Sequence, residues 1–235
     1  MLEADQDRQR WLAGLAALGC LGVAGFAAAR ISTELTRSPT SAEWSQATAL
    51  ELAGRWHARP SGTIFPERLG YSPELGGEEE ASRVGIVAGT DCGGALDAVL
   101  QNLLVPYGCR GVLRAAYLDQ PQGLLINVGL VAFADPDTAG RAQKALDGTK
   151  GSLRAVVFPG SVAARFTDAA RQTTVFGRRG PYLTVTTTGY SDGRPARGQK
   201  KQADLSVIAP QLAEQVLDRL TAPVKAVCGV PEYKC

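Results

Sequence analysis

Histidine is almost absent from this chain of 235 residues, and its one example is His57. No two cysteines stand in the C-x-x-C spacing that many zinc sites use. A zinc site would therefore have to recruit distant cysteines, and a reactive thiol would fall to Cys92 near a predicted helix N-terminus. We predict neither a metal site nor a bound cofactor, and we interpret Cys92 as a structural cysteine.

An excess of charge of one sign is also absent. Lysine and arginine together number 25, against 23 aspartates and glutamates, so the formal net charge is only +2. This balance gives no reason to expect nucleic acid as a partner. The sequence likewise lacks a glycine-rich phosphate loop and a dinucleotide-binding fingerprint, so no nucleotide cofactor is predicted.

One hydrolase-like motif, GYSDG at residues 189–193, is present. A nucleophile elbow of this type needs a strand before Ser191 and a helix directly after it. The segment RPARGQKKQ that follows does not predict a helix, and His57 lies upstream of the serine instead of downstream. We therefore predict no enzymatic activity, and a thiol-redox or hydrolytic envelope enzyme is the least favoured alternative.

The longest stretch without charge, WLAGLAALGCLGVAGFAAA at residues 11–29, predicts a transmembrane helix. At about 1.5 Å per residue it spans roughly the 30 Å hydrocarbon core of a bilayer. A cleaved signal peptide is an alternative, because residues 27–29 offer an A-x-A type cleavage site. The length of the run and the lack of basic character at 1–10 favour a retained anchor, and lipidation of Cys20 is a weaker alternative.

The anchor divides the chain into parts in different compartments. We predict a short cytoplasmic tail at 1–10, the anchor at 11–29, a stalk and linker at 30–82, and an extracytoplasmic domain at 83–235. Arginines flank the anchor on both sides, so charge does not fix the orientation. Four cysteines follow the anchor, an even number that suits an oxidising compartment outside the membrane.

The domain predicts an α+β fold with a ferredoxin-like βαββαβ unit, in which two helices cover one face of an antiparallel sheet. Strands are expected at 83–88, 110–119, 123–133 and 153–158, and helices at 91–104 and 135–148. A hairpin at 172–190 and a C-terminal helix that begins near Pro210 are added to this unit. Before the domain, we expect a helix capped by Thr40 or Ser41 and a solvated acidic loop at 78–80.

The cysteines Cys92, Cys109, Cys228 and Cys235 permit three pairings. Sequential pairing is the most economical, because a Cys92–Cys109 bond pins the first helix of the domain to the next strand. A Cys228–Cys235 bond would close the tail into a small loop. Loop entropy gives on the order of 3 kcal/mol for the first bond and somewhat less for the second.

A basic loop at 192–202 is the candidate partner-binding site. Its cationic residues are Arg194, Arg197, Lys200 and Lys201. We expect Arg178 and Arg179, in the predicted hairpin turn, to lie near this loop. On an external domain, such a loop suits anionic lipid headgroups, anionic wall polymers or an acidic protein. The alternative is an ordinary solvated face.

Three segments carry a resemblance: RWHARPSGTIFPERLGY at 55–71, RVGIVAGTDCGGALD at 83–97, and GCRGVLRAAYLD at 108–119. They resemble a group of uncharacterised single-pass membrane proteins of actinobacteria, which have an anchor, an F-P segment and a paired-cysteine domain. The resemblance implies a membrane location and a disulfide-bonded domain, and it implies no activity.

We therefore expect a membrane-anchored, extracytoplasmic protein of the cell envelope that binds a partner or serves as an accessory subunit. The bilayer contacts residues 11–29, and a protein partner or a second copy of the chain is expected at the membrane helix or the stalk. The alternative is an extracytoplasmic ligand sensor. Such a sensor would act through another membrane subunit, because the tail at 1–10 is too short to hold a signalling domain.

Overall fold

The computed structural model describes residues 2–195 and 203–223, with side chains placed for 18–195 and 205–223. Two compact units are present: the first runs to Trp44, and the second begins at Ser45.

The first unit consists mainly of one long helix, α1 (Leu2–Thr36). The predicted anchor at 11–29 lies wholly within α1. Residues Leu18–Thr36 are long and apolar enough to cross a membrane, although a signal sequence near an N-terminus passes the same test. The side chains of Leu21, Val23 and Phe26 are 69%, 72% and 66% exposed, so the protein itself does not bury this apolar surface.

The helix α2 (Ser41–Ala58) begins with a reciprocal cap. The Glu43 carboxylate accepts hydrogen bonds from the Thr40 amide at 2.7 Å and the Thr40 hydroxyl at 2.9 Å, while the Glu43 amide donates to that hydroxyl at 3.3 Å. This is the capping-box geometry of a helix N-terminus. The predicted helix start is confirmed, with Thr40 as its capping residue.

The second unit is built on a six-stranded sheet in the order β1-β2-β3-β4-β6-β5. Every neighbouring pair of strands is antiparallel. The apolar strands β3 and β4 lie in the middle and are buried along almost their whole length. The strands are β1 (Arg68–Tyr71), β2 (Glu79–Ile86), β3 (Gly111–Leu118), β4 (Leu124–Ala132), β5 (Thr173–Arg179) and β6 (Tyr182–Tyr190).

Both faces of the sheet are covered. The remaining helices are α3 (Ser61–Ile64), α4 (Cys92–Ala95), α5 (Ala98–Leu104), α6 (Pro136–Ala145) and α7 (Ala203–Thr221). On one face, α7 packs its buried stripe, including Leu212 and Val216, against Ile126 and Val128 of β4. On the other face, α5 and α6 pack against Val131 and Val185, and the segment around Phe166 covers Ala116 and Leu125.

The predicted α+β class is confirmed, but the ferredoxin-like arrangement is not. The expected fourth strand at 153–158 is represented only by an isolated bridge between Leu153 and Leu96. The expected first strand pairs directly with the second, as β2 with β3, whereas a split βαβ unit would place another strand between them. The sheet is completed by β1 and by the β5–β6 hairpin.

Three other boundaries differ from prediction. The helix expected at 91–104 is broken at Leu96, which is extended, and Asp97 caps the new helix α5 by accepting from the Leu100 amide. Of the expected acidic loop, Glu79 and Glu80 belong to β2, paired with β1. The helix α7 begins at Ala203 and contains Pro210 in its interior.

The range that the sequence assigns to the stalk also contributes to the sheet unit. Arg55 of α2 is 3% exposed and donates to the carbonyls of Leu220 at 2.8 Å and Ala222 at 2.7 Å. Its charge is paired with Glu51 at 2.6 Å. A buried cation thus satisfies carbonyls at the C-terminal end of α7 and joins α2 to that helix.

Candidate interaction surfaces

The Cys92–Cys109 disulfide is formed, as predicted. Its Cα atoms are 6.5 Å apart, and it joins the first residue of α4 to the segment that enters β3. Asp91 caps α4 by accepting from the Gly94 amide, so this short helix is fixed at its start by both a cap and a covalent bond. Cys228 and Cys235 lie outside the described residues, and their predicted bond stays a prediction.

Of the predicted basic loop, the structure describes Arg194, while Arg197, Lys200 and Lys201 lie outside the described residues. The Arg194 guanidinium lies 3.6 Å from the centre of the Tyr190 ring and 3.6 Å from the Asp192 carboxylate. Stacking and ion pairing therefore already engage this cation at the base of the loop.

The hairpin arginines do not lie beside the part of this loop that the structure describes, residues 192–195. Arg178 and Arg179 end β5 and stand at the turn into Tyr182, whereas the basic loop follows Tyr190 at the other end of β6. Nine residues of strand separate the two ends by roughly 25 Å. Arg179 pairs with Glu214 and Asp218 of α7, and Arg178 donates to Gln143 of α6 at 2.8 Å.

Ser191 of the GYSDG motif forms hydrogen bonds with the turn between β3 and β4. The Ser191 hydroxyl donates to the Gln122 carbonyl at 2.7 Å, and its amide donates to the Gly123 carbonyl at 3.0 Å. His57 is stacked edge-on against Trp56, whose amide donates to the hydroxyl of Tyr182 at the far end of β6. The structure therefore does not bring Ser191 and His57 together.

A buried network of hydroxyl groups, which the sequence analysis did not predict, links the sheet to its edge. Ser152 forms hydrogen bonds with Thr187 of β6 at 2.8 Å and with Thr174 of β5 at 2.9 Å. Asn127, opposite Thr187 on β4, is fully buried, and neither atom of its amide has a partner among the described residues. The sequence signal was the polar side chain in the apolar run LLINVGLVA.

A cleft of about 400 Å³ opens where this network reaches the edge strand β5. It is lined by Thr149, Lys150, Ser152, Asp168, Arg171, Gln172, Thr173 and Thr174. Arg171 is held by the Leu153 carbonyl at 2.8 Å and lies 3.6 Å from Asp97 and 3.7 Å from Asp168. The cleft is polar and open, unlike the deep apolar cavities that usually bind small ligands.

A second open edge lies on β2. Its register with β1 ends at Arg68 and Ser82, and the Arg83 amide still donates to the Glu67 carbonyl at 2.8 Å. Residues 84–86, which we call the open edge, have no strand beyond them and include a β-bulge between Arg83 and Gly85. The Val87 amide donates inward to the Arg114 carbonyl at 2.9 Å. Because successive amides of a strand point in opposite directions, the Ile86 amide points away from β3. A cleft of about 520 Å³ runs along this edge.

Apolar side chains border the open edge. Val84, Val87 and Phe158 are only partly buried, and Val157 and Val162 are each 48% exposed. We call these five residues the apolar rim. Phe158 lies directly on the strand, since a Cβ at Gly85 would be 2.5 Å from its ring. An exposed strand edge beside apolar side chains is a typical surface for pairing with another chain.

Two arginines, Arg114 and Arg154, adjoin this rim; we call them the arginine pair. Arg114 stands opposite Val87 on β3, and its Nη1 donates to the Arg154 carbonyl at 3.5 Å. Its Nε is buried without a hydrogen-bond partner among the described residues. Burial, and secondly the positive charge of Arg154, lower the pKa of Arg114 from its ordinary value.

Among the residues that the structure describes, no acid forms an ion pair with Arg114 or Arg154. Asp168 is the carboxylate whose charge acts on Arg114. That carboxylate accepts from the Ala155 amide at 2.7 Å and lies 3.7 Å from Arg171, so its hydrogen bonds are directed elsewhere. Among the described residues, no group of three or more His, Cys, Asp or Glu side chains could hold a metal ion.

Comparison of the chain with known protein families, with curated proteins and with solved structures gives no match. The resemblance to single-pass membrane proteins of actinobacteria therefore stays a prediction, and the functional argument rests on the surfaces described above.

Proposed function

We propose that this protein is a membrane-anchored partner-binding or accessory protein of the cell envelope, without catalysis of its own. The sheet unit lies outside the cytoplasm and α1 crosses the bilayer. The observation that carries the proposal is the open edge of β2 with its apolar rim, a surface suited to another polypeptide. The membrane helix and the loop at 192–202 offer further contacts to a protein partner, anionic lipid or wall polymer.

The formed disulfide supports the external location. Structural disulfides persist in oxidising compartments and are rare in the cytosol. Cys92 and Cys109 are both only partly buried, so cytosolic reductants would reach their bond. The length and apolar character of Leu18–Thr36 support membrane insertion.

The first test is extraction of the full chain from its native membranes in mild detergent, followed by mass spectrometry of the chain and of what stays bound. We expect an intact N-terminus, a bonded Cys92–Cys109 pair and one stoichiometric protein partner. A chain that begins near Arg30 would show that the apolar helix is a cleaved signal. A solitary chain would contradict the accessory role.

Orientation is tested with Leu75, which is fully exposed in the loop before β2. A Leu75→Cys variant in a Cys20→Ser background should react with a membrane-impermeant maleimide in intact cells. The matched control is the Cys20→Ser chain alone, which gives the background labelling. Reaction only after lysis would place the domain inside.

The polar cleft beside β5 favours a second candidate, an external sensor for a small polar ligand that signals through another subunit. Its support is the convergence of the hydroxyls of Ser152 and Thr174 with Lys150 at one opening. A Ser152→Ala and Thr174→Val variant would then lose the signalling response while still retaining the membrane partner.

A further inference from the structure

We propose that the open edge of β2 binds an extended segment of a partner protein that carries apolar side chains and a carboxylate. The segment adds to the sheet as a further strand, and its carboxylate pairs with Arg114 and Arg154. This inference rests on the proposed partner-binding function and names the surface and the chemistry through which it acts.

The backbone supplies the first requirement. The strand β1 pairs with β2 as far as Ser82, and Glu67 accepts from the Arg83 amide at 2.8 Å. Beyond Arg83 the cleft follows the open edge for its whole length. The Ile86 amide points into this space, because its neighbour Val87 bonds inward to β3. Such outward backbone groups are satisfied by another extended backbone, which is the basis of strand addition.

The apolar rim supplies the second requirement. Val84, Val87 and Phe158 pack on one cluster beside the open edge. Val157 directly precedes Phe158, and Val162 follows a turn in which the Ser161 amide donates to the Phe158 carbonyl at 3.2 Å. Side chains of an added strand alternate between its two faces. Every second residue of the bound segment therefore contacts this rim, which selects valine, isoleucine, leucine or an aromatic residue there.

The arginine pair supplies the third requirement. Arg114 is held in a partly buried position with a positive neighbour and an unpartnered Nε. The Arg114 Nε is fully buried and the Arg154 Nε donates to the Leu96 carbonyl at 3.0 Å, so an acid from outside binds the Nη groups of these arginines. Its charge offsets the repulsion between the two arginines. Arg114 stands directly opposite Val87, so the carboxylate is expected at the Val87 end of the bound segment.

The charge of this surface also favours a different protein over a second copy of this chain as the bound partner. The cleft along the open edge is lined by two arginines, Arg68 and Arg83, and one acid, Glu67. A copy docked edge to edge would therefore bring a lining with more positive than negative charge to the arginine pair. A partner segment with an acidic residue or a C-terminal carboxylate is complementary.

The test uses the full chain in its native membranes, with the photo-crosslinking residue p-benzoylphenylalanine in place of Val84 or Val157. Val99 on α5 is the matched control position, since it is also 48% exposed and lies outside the rim. We expect adducts from the first two positions and not from the third. Fragment sequencing of the adduct should place an acid within about three residues of an apolar, extended segment.

A second variant tests the charge directly. Arg114→Gln with Arg154→Gln should lower the yield of the Val157 adduct about tenfold, the effect of losing one charge-assisted contact. The single Arg154→Gln change, at an exposed residue, should act in the same direction. It also removes the hydrogen bond from the Arg154 Nε to the Leu96 carbonyl at 3.0 Å, so thermal unfolding of the variant checks that the fold is kept. Arg110→Gln, which removes another exposed arginine, should leave the yield unchanged.

The inference is overturned if the adduct joins two copies of this chain, if it survives both arginine changes, or if neither rim position gives one. A partner that co-purifies with the chain but does not crosslink at Val84 or Val157 would overturn the inference alone. Absence of any co-purifying partner would overturn the proposed function as well.

Discussion

Asp119 lies in the turn between β3 and β4, where it is only 5% exposed. Its carboxylate accepts a hydrogen bond from the Leu124 amide at 2.8 Å. Burial raises the pKa of Asp119 despite the bonds from the Leu124 and Gly123 amides, and the charge of Glu79 adds to the rise. The folded chain therefore binds the proton of Asp119 more tightly than the unfolded chain does.

This environment predicts that Asp119→Asn raises the stability of the folded chain in a pH-dependent way. As the pH rises above the ordinary aspartate pKa, the unfolded chain ionises first, so the wild-type side chain lowers stability at neutral pH. An asparagine keeps the acceptor oxygen and removes the charge. Thermal unfolding should show a higher Tm for the variant at pH 7 and little difference near pH 3, and an equal effect at both would contradict the burial argument.

Glu43 shows the opposite shift, in an exposed setting. Hydrogen bonds from Arg37, at 2.8 and 2.5 Å, and from Thr40 lower its pKa from 4.5 to about 2. A depressed acid contributes stability above its unfolded pKa and loses it as the pH falls through the folded value, here between about 4.5 and 2. The carboxyl carbon shift of Glu43 in a pH titration should therefore stay constant down to about pH 3.

The control for this titration is Arg37→Gln, which removes the guanidinium hydrogen bonds that lower the pKa of Glu43 most and leaves Thr40 in place. The midpoint should move up toward 4.5 and not reach it. A midpoint unaffected by the change would show that the cap alone holds the carboxylate ionised.

Single residues also explain which local structures could be predicted. Asp135 accepts from the Thr138 amide at 2.8 Å, and Pro136 follows it at the first position of α6. The cap and the proline are local signals, and this helix start was predicted correctly. Leu96 carries no such signal, because its extended conformation depends on pairing with Leu153, which is distant in sequence.

Among the elements, α7 depends on a residue from α2. Replacing Arg55 by methionine keeps much of the side-chain volume but leaves Glu51 unpaired and the carbonyls of Leu220 and Ala222 without their donor. Breaking a buried ion pair at one partner typically costs about 3–5 kcal/mol. Urea unfolding of Arg55→Met should show a loss of this size.

A double variant separates the contribution of the ion pair to stability from that of the carbonyl contacts. Arg55→Met with Glu51→Leu removes the stranded carboxylate, so it should recover part of the loss while α7 still lacks its donor. Full recovery would mean that the contacts to the end of α7 contribute nothing.

The segment from α4 to β3 depends on its disulfide. Replacing Cys92 and Cys109 together by serine releases a loop with a sequence separation of 17 residues, which corresponds to about 3 kcal/mol in loop-entropy terms. Denaturant titration should show a free energy of unfolding lower by about that amount, and therefore a lower midpoint. A Cys20→Ser variant is the control, since Cys20 is a free and exposed cysteine, and it should leave the midpoint unchanged.

Sheet order was the part of the fold that sequence patterns did not reveal. Apolar runs predicted β3 and β4, and both are confirmed. The short strand β1 lies in a segment rich in proline, glycine and glutamate, and its pairing with Glu79–Ser82 supplies the stability that its own pattern lacks. The segment at 153–158 has a strand-like composition, yet its apolar residue Val156 is buried by packing over the sheet instead of within it.

At the scale of the whole molecule, the two units differ in how much of their apolar surface is exposed. The apolar side chains of α1 are exposed, while the second unit buries a continuous core on both faces of its sheet. We expect the full chain to remain in the membrane fraction after alkaline carbonate washing, and a chain lacking residues 11–29 to become soluble. Release of the full chain by carbonate alone would contradict membrane insertion.

The candidate surfaces differ in how far the sequence could locate them. The disulfide was predictable from cysteine positions, and the basic residues from composition. The arginine pair was not, because Arg114 lies in β3 and Arg154 in an irregular segment, and only the fold brings them together. The open edge depends on where β1 ends, which is likewise a property of the assembled sheet.

The threonines of β6 have a consequence for the growing chain. Thr184, Thr186 and Thr188 are fully buried, their hydroxyls lack partners among the described residues, and they lie on the sheet face that α7 covers. Because α7 follows β6 in sequence, this face is exposed to water until α7 has been synthesised and has packed on it. Valines at these positions would make β6 a more apolar and more aggregation-prone strand during that interval. The threonines keep the exposed strand more polar, and their hydroxyls are buried once α7 is in place.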